Sequence, residues 1–174
     1  MSRSQPTGDD VRPGRWTGFA AAGVAFAFAA VSTYWGLGGR ALLDTLGGEI
    51  ERRARAGDGV LLAANAVGAV LKVLGGVLAL ALVQPWGERL PRRPLQAVAW
   101  AGAAVLTVYG VVQTAAMVLV ALDVFEPAEP LERRAVLWRL FLWEPWFLVW
   151  GLVLGAAAWH FRARVRAEAR VVAG

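Results

Sequence analysis

The amino-acid sequence predicts an all-α membrane protein, an up-down bundle of four transmembrane helices with an interfacial amphipathic segment before the fourth. Three observations carry this. The chain of 174 residues is 57% hydrophobic, above the roughly 45–50% apolar share of soluble domains. Four apolar stretches alternate with charged connectors, and each has the about twenty residues that span a bilayer core as a helix. A soluble fold would need four helices that are hydrophobic on every side, with no polar surface to cover them.

The first 15 residues are polar and bear Pro and Gly, which predicts a disordered N-terminal tail. The first span follows at Trp16–Leu37. Its apolar run exceeds the about 7–15 residues of a signal-peptide core, and Asp9 and Asp10 precede it, so a retained helix is expected rather than a cleaved leader. The connector "GGRALLDTLGGEIERRARAGDG" contains "EIERRARA", which predicts a turn or two of amphipathic helix. The second span is Val60–Val83. The three prolines of "QPWGERLPRRP" then predict a tight antiparallel hairpin with the third span, Leu95–Leu122.

Ahead of the fourth span, roughly Trp138–Phe161, "DVFEPAEPLERRAVLWRLFLWEP" reads as an acidic turn and an amphipathic helix at the interface. Leu137, Trp138, Leu140, Phe141 and Leu142 are expected toward lipid, and Arg133, Arg134 and Arg139 toward headgroups. The transmembrane domain is thus 16–161, with a basic tail over 162–174.

The net charge is +5, but the arginines lie in connectors and tails beside apolar spans. They are expected to set topology and meet anionic headgroups, not nucleic acid. With the N-terminus inside, ten arginines fall on the cytoplasmic side and seven outside. This places both termini in the cytoplasm of a multi-pass protein of the cell membrane. The near-exclusive use of arginine, with abundant Ala, Gly and Val, points to a bacterial source with a GC-rich genome. Most of the nine tryptophans fall at predicted membrane boundaries, where aromatic belts are expected. Trp143, Trp146 and Trp150 share a face of the last span, as helix packing or as a pocket wall.

The second span carries the most chemistry. Asn65, Gly68, Lys72, Gly76 and Ala79 form one stripe, suited to close approach of another helix. Lys72 is the only lysine in the sequence and stands about twelve residues from either end of its span. Three readings remain open for it: lining a polar cavity, acting as a structural tie (unprotonated or bonded to backbone carbonyls), or snorkelling through a thinned bilayer. At about 1.5 Å per residue, Asn65 lies near about 8 Å from the outer surface, Gln113 near about 13 Å and Lys72 near about 18 Å. Tyr34 and Glu144 fall within the outermost turns, and Tyr109 shares a face with Gln113. These six residues predict an outward-opening polar pocket with Lys72 near its floor and Glu144 at its rim. Each also has a plainer reading as an interhelical hydrogen bond. Glu144, directly before Pro145, is also suited to complementing a helix N-terminus, or to pairing with Lys72 or an arginine.

Other chemistries are disfavoured. Cysteine is absent, and a single histidine, His160, stands at the far end of the fourth span from the other polar groups. Neither a metal nor a cofactor is therefore expected. A Ser-His-Asp arrangement would need Ser32 and His160 from opposite membrane faces.

"STYWGLGGR" at 32–40 and "RLFLWEPWFLVWGLVLGAAAW" at 139–159 resemble a family of small actinobacterial membrane proteins classed as a domain of unknown function. In that family an aromatic "YW-x-LGG" closes the first helix and a "W-E-P-W-F-L" type segment opens the last. A histidine often stands two places before the tyrosine. Here that place holds Ser32, so no imidazole role carries over. The resemblance implies a four-helix integral membrane protein and no particular reaction. The function expected is a non-enzymatic accessory or ligand-binding protein whose pocket takes a lipid headgroup or small anion. The alternatives are a small oligomeric proton-coupled transporter and a lipid-modifying enzyme with Glu144 as acid or base. The expected partners are membrane lipid and either a second copy or another membrane protein.

Overall fold

A computed structural model describes residues 14–127 and 131–173. It is all-α among the described residues: α1 (Arg15–Gly36), α2 (Gly48–Ala56), α3 (Gly59–Ala81), α4 (Arg92–Ala121), α5 (Arg133–Trp138) and α6 (Glu144–Ala173). Short 3-10 turns at Leu43–Thr45 and Pro85–Arg89 fill the connectors, and a π turn at Arg139–Trp143 joins α5 to α6. Four helical runs are long and apolar enough to cross a membrane: Arg15–Gly36, Gly59–Ala81, Arg92–Ala121 and Arg133–Val171. The protein is an all-α membrane protein, as the hydropathy pattern predicts. The expected disordered tail falls, up to residue 13, outside the described residues. α6 continues through the basic segment from 162 to Ala173.

Glycine and alanine decide how the helices pair. In lipid, helices associate through close packing, and small residues let backbones approach. The core is accordingly rich in alanine: Ala21, Ala25, Ala79, Ala99, Ala157 and Ala158 are all fully buried. α1 packs chiefly on α3 and α4 chiefly on α6, while a smaller contact between α1 and α6 joins the two pairs. Gly18 of α1 lies against Val83 and the Ala79 carbonyl, and Gly76 of α3 lies against the Phe26 ring. In the other pair, Gly151 abuts the Thr107 backbone and Gly110 abuts the Leu148 backbone.

This pairing corrects one expectation. The proline-rich connector between α3 and α4 is short, but the two helices barely touch. The small-residue stripe of α3 is occupied by α1, and that of α4 by α6. The helices therefore run α3, α1, α6, α4 in space, with an opening between the first and last.

The connector from 37 to 58 folds into a cap over one end of the bundle. Gly38 at φ 89° turns the chain out of α1, a left-handed conformation that favours glycine. The "AGDG" sequence both ends and starts a helix. Gly57 at φ 71° closes α2, and the Asp58 side chain then accepts the Leu61 N–H at 2.9 Å to open α3. On α2, Arg52 and Arg53 both hydrogen-bond Glu49, and Arg55 bonds Glu51. The bond from Arg53, then that from Arg52, holds the exposed Glu49 carboxyl below its ordinary range. The cap docks through Leu43 and Thr45, both buried, and Arg134 meets Asp44 at 3.3 Å.

The amphipathic segment before the fourth span departs from its predicted form in one respect. Arg133, Arg134, Leu137, Trp138 and Phe141 are exposed as expected. Arg139, however, turns inward. Pro145 has no N–H for the Phe141 carbonyl, and the helix widens there into the π turn. In a regular α-helix, residues five apart differ by about 140° around the axis. The wider turn brings Arg139 and Glu144 to one face.

The backbone contacts of α4 with α6 generate a test. A Cβ on Gly151 would lie 2.6 Å from the Thr107 backbone nitrogen, where no side chain can yield, whereas one on Gly155 would meet only the Ala103 Cβ at 3.6 Å. Gly151→Ala is expected to lower stability by about 1–3 kcal/mol, the usual cost of overpacking, while Gly155→Ala stays near the parent. Thermal unfolding in a mild detergent measures both, and equal melting temperatures would refute the packing.

Candidate functional site

Beneath the cap lies a chamber of about 450 Å³, bounded by α1, α2, α3, α4 and α6. Its lining includes Asn65, Lys72, Tyr109, Gln113 and Glu144, five of the six residues that the sequence singles out. Tyr34 is not among them. Its ring lies over Gly39 and its hydroxyl accepts the Ala41 N–H at 3.3 Å, so it closes the cap loop from outside, 47% exposed. Trp35 secures the same residue, donating from its indole to the Ala41 carbonyl at 2.8 Å.

Lys72 stands at the deep end of the chamber, about 20 Å along α3 from Gly59 at 1.5 Å per residue. Its ammonium donates to the Ser32 hydroxyl at 3.0 Å and lies 4.4 Å from the Phe28 ring centroid. Ser32 and Phe28 are one turn apart on α1, and both are buried. Asn65 reaches the same residue from above, donating to the Ser32 carbonyl at 2.7 Å. The polar stripe of α3 therefore meets α1 at one serine. Tyr109 and Gln113 stand one turn apart on α4, and both line the chamber.

Glu144 does not reach Lys72, and it does not stand at an open rim. It is 5% exposed in the chamber wall, where Arg139 donates to one carboxylate oxygen from Nε at 3.0 Å and from an Nη at 2.8 Å. Glu144 is the first residue of α6 and the acidic residue of its first turn, although α5 and the π turn run into it as one continuous helical stretch.

An aromatic wall surrounds these groups. Phe28 contacts Trp143, Trp146 and Phe147, Trp35 contacts Trp143, and Tyr109 meets Phe147 edge-on at 4.9 Å. Trp143 donates to the Thr45 hydroxyl at 3.0 Å, pinning the cap to the π turn, and Trp146 donates to the Val24 carbonyl at 3.2 Å. Of the tryptophan face of the last span, Trp143 lines the chamber, while Trp146 packs on α1 and Trp150 on α3.

A second cavity occupies the opening between α3 and α4. It is a groove of about 950 Å³, almost wholly apolar, floored by Phe147, Trp150 and Leu154 of α6. Lys72, Tyr109 and Phe147 line both the groove and the chamber. The Trp150 indole N–H has no hydrogen-bond partner.

Ser32, Phe28, Arg139 and Arg40 complete the chamber and escape sequence reasoning. Ser32 leaves one sign, as the sole serine of an apolar helix four residues after a phenylalanine. Arg139 leaves none, since its approach to Glu144 depends on the π turn.

The buried Arg139–Glu144 pair predicts a stability effect. Removing one partner of such a pair costs about 3–5 kcal/mol, because the other charge stays buried. Arg139 keeps 19% side-chain exposure, so Glu144→Gln is expected near the lower end. Arg139→Leu with Glu144→Leu should recover most of the loss. Thermal unfolding of the single and double variants decides this, and a double variant as unstable as the single one would show that the charge pair is not the cause.

No curated protein and no solved structure matches the chain. The family described as Protein of unknown function (DUF3995) matches residues 25–154. That stretch runs from the middle of α1 through the cap, the chamber and the π turn to Leu154 in the groove floor. It takes in every residue of the Lys72–Ser32–Asn65 and Arg139–Glu144 constellations. The chain belongs to the DUF3995 family of proteins of unknown function.

Proposed function

We propose that the protein is a non-enzymatic membrane binding protein whose chamber, with the capped end outside the cell and both termini in the cytoplasm, takes an anionic group. The observation that supports this is uncompensated positive charge. Four basic side chains line the chamber: Arg40, Arg55, Lys72 and Arg139. Glu144 and Glu51 pair with Arg139 and Arg55. Arg40 and Lys72 have no carboxylate partner among the described residues. A cation inside a membrane domain points by default to a functional site. The volume lies within the roughly 300–1,000 Å³ of small-ligand pockets, with donors from Asn65 and Gln113 to orient a polar ligand.

A phosphate-type anion fits this chemistry, whether free or carried on a lipid headgroup. The lipid-modifying reading has less support, because the Glu144 carboxylate in the chamber wall is engaged by Arg139.

The test is binding by the intact protein in neutral detergent, read as a shift in melting temperature. Inorganic phosphate and phosphatidylglycerol are added in turn, with the zwitterionic, net-neutral phosphatidylcholine as the control. Stabilisation by phosphate identifies a free anion, and stabilisation by phosphatidylglycerol alone identifies a headgroup. Lys72→Met should abolish either shift while leaving the unliganded melting temperature unchanged or raised, since it removes a charge that is costly to desolvate. If neither anion stabilises the parent protein, the binding function is wrong. If Lys72→Met fails to fold, the ammonium is a structural tie to Ser32.

A further inference from the structure

We infer that the ligand is a lipid bound across both cavities, its anionic headgroup at Lys72 in the chamber and its acyl chain in the groove between α3 and α4. This rests on the anion-binding function proposed above and extends it to the substrate class and the route of entry.

Continuity is the first argument. Lys72, Tyr109 and Phe147 are shared by a polar chamber and an apolar groove, so a molecule at their junction meets charge on one side and hydrocarbon on the other. That is the chemistry of an amphiphile. A small anion would leave the groove unused, and a plain hydrocarbon would leave Arg40 and Lys72 uncompensated. The second argument is the packing. Because α3 and α4 barely touch, the groove opens sideways in the apolar part of the bundle, where lipid is the solvent.

Length is the third argument. Along α3 the groove runs from Gly68 to Ala81, about 20 Å at 1.5 Å per residue. One leaflet has about half of a hydrocarbon core of about 30 Å. Lys72, about 18 Å from the outer surface, already stands at about the midplane. A chain extended from it toward the end that carries the termini therefore runs about 14 Å to Ala81, about one leaflet's depth. The lipid sits deeper than its bulk neighbours, and the buried lysine meets its headgroup at that depth. In the floor Trp150 packs against Gly75 of α3 and leaves no room for a Cβ there. The groove is preformed between two fixed helix pairs.

The experiment uses the full chain in phosphatidylcholine nanodiscs containing a few per cent of phosphatidylglycerol with a diazirine at the end of one acyl chain. After irradiation, adducts are mapped by peptide mass spectrometry. The expected result is several-fold enrichment on residues 74–81 and 95–101 over other lipid-facing positions. The same chain on a phosphatidylcholine headgroup should give even labelling. Lys72→Met should remove the enrichment. Ala101→Phe with Val105→Phe, which fills the groove from α4, should also remove it. If that double variant keeps the phosphatidylglycerol melting shift in full, or if adducts spread evenly in the parent, the tail lies elsewhere. The groove inference then falls while the chamber's anion binding stands. A dimer in native mass spectra that vanishes in the groove-filled variant, with the groove unlabelled in the parent, would overturn the inference in favour of a second copy. If phosphatidylglycerol neither shifts the melting temperature nor labels selectively, both readings fail together.

Discussion

Close backbone contact between glycine-bearing helices is the constraint from which the rest of this structure follows. Gly110 and Gly151 let α4 and α6 touch backbone to backbone, while between α1 and α3 Gly18 admits Val83 and the Ala79 carbonyl and Gly76 admits the Phe26 ring. Each helix has one such surface to give. Once α3 has given its surface to α1, and α4 its surface to α6, nothing equivalent remains to draw α3 and α4 together. Their sequence adjacency and short connector cannot supply it, because helix association in lipid gains little from burying apolar surface that lipid already solvates. The groove is thus a consequence of strong packing elsewhere, and it does not need a special sequence of its own.

The same logic explains the two motifs that mark the chain. In "YWGLGG", Tyr34 and Trp35 hold the N–H and the carbonyl of Ala41, Gly38 makes the left-handed turn and Gly39 makes space for the tyrosine ring. These four positions act on the loop that becomes the cap. In "RLFLWEPW", Pro145 accompanies a π turn that aligns Arg139 with Glu144, and Trp143 ties that turn to Thr45 of the cap. The motifs are far apart in sequence but build one lid, joined directly where Trp35 meets Trp143 with ring centroids 5.2 Å apart. They shape the chamber from its margin.

This division separates what the sequence makes legible from what it hides. Four spans are visible because about twenty apolar residues have only one use at that length. The stripe of Asn65, Lys72, Gly76 and Ala79 is visible because the helical period is regular through α3, and all of them do face α1. The choice of Arg139 as the partner of Glu144 is hidden because a single widened turn shifts the phase, so that a residue five positions away comes onto its face. Tyr34 is misread because depth counted along a helix says nothing about a side chain that turns back over the following loop. The pairing of helices is hidden for a different reason. Glycine and alanine stripes occur on all four, and only their three-dimensional fit selects α1 for α3 and α6 for α4.

Lys72 shows how little margin such a site has. On insertion scales a lysine at the centre of a transmembrane helix costs about 2.5–3.5 kcal/mol. Against this, a hydrogen bond made by a charged group contributes about 1.5–3 kcal/mol. A cation over an aromatic ring adds about 0.5–2 kcal/mol. The Ser32 hydroxyl and the Phe28 ring together are therefore about sufficient to hold the ammonium in place, without a carboxylate. A carboxylate partner would have held it more firmly, but it would also have filled the place an anion could take. Across the chamber the opposite choice is made, where Arg139 is neutralised by Glu144 and serves the wall. One cation is closed off by its counter-charge and the other is supported only by neutral groups, which leaves its charge open to a ligand at the junction of chamber and groove.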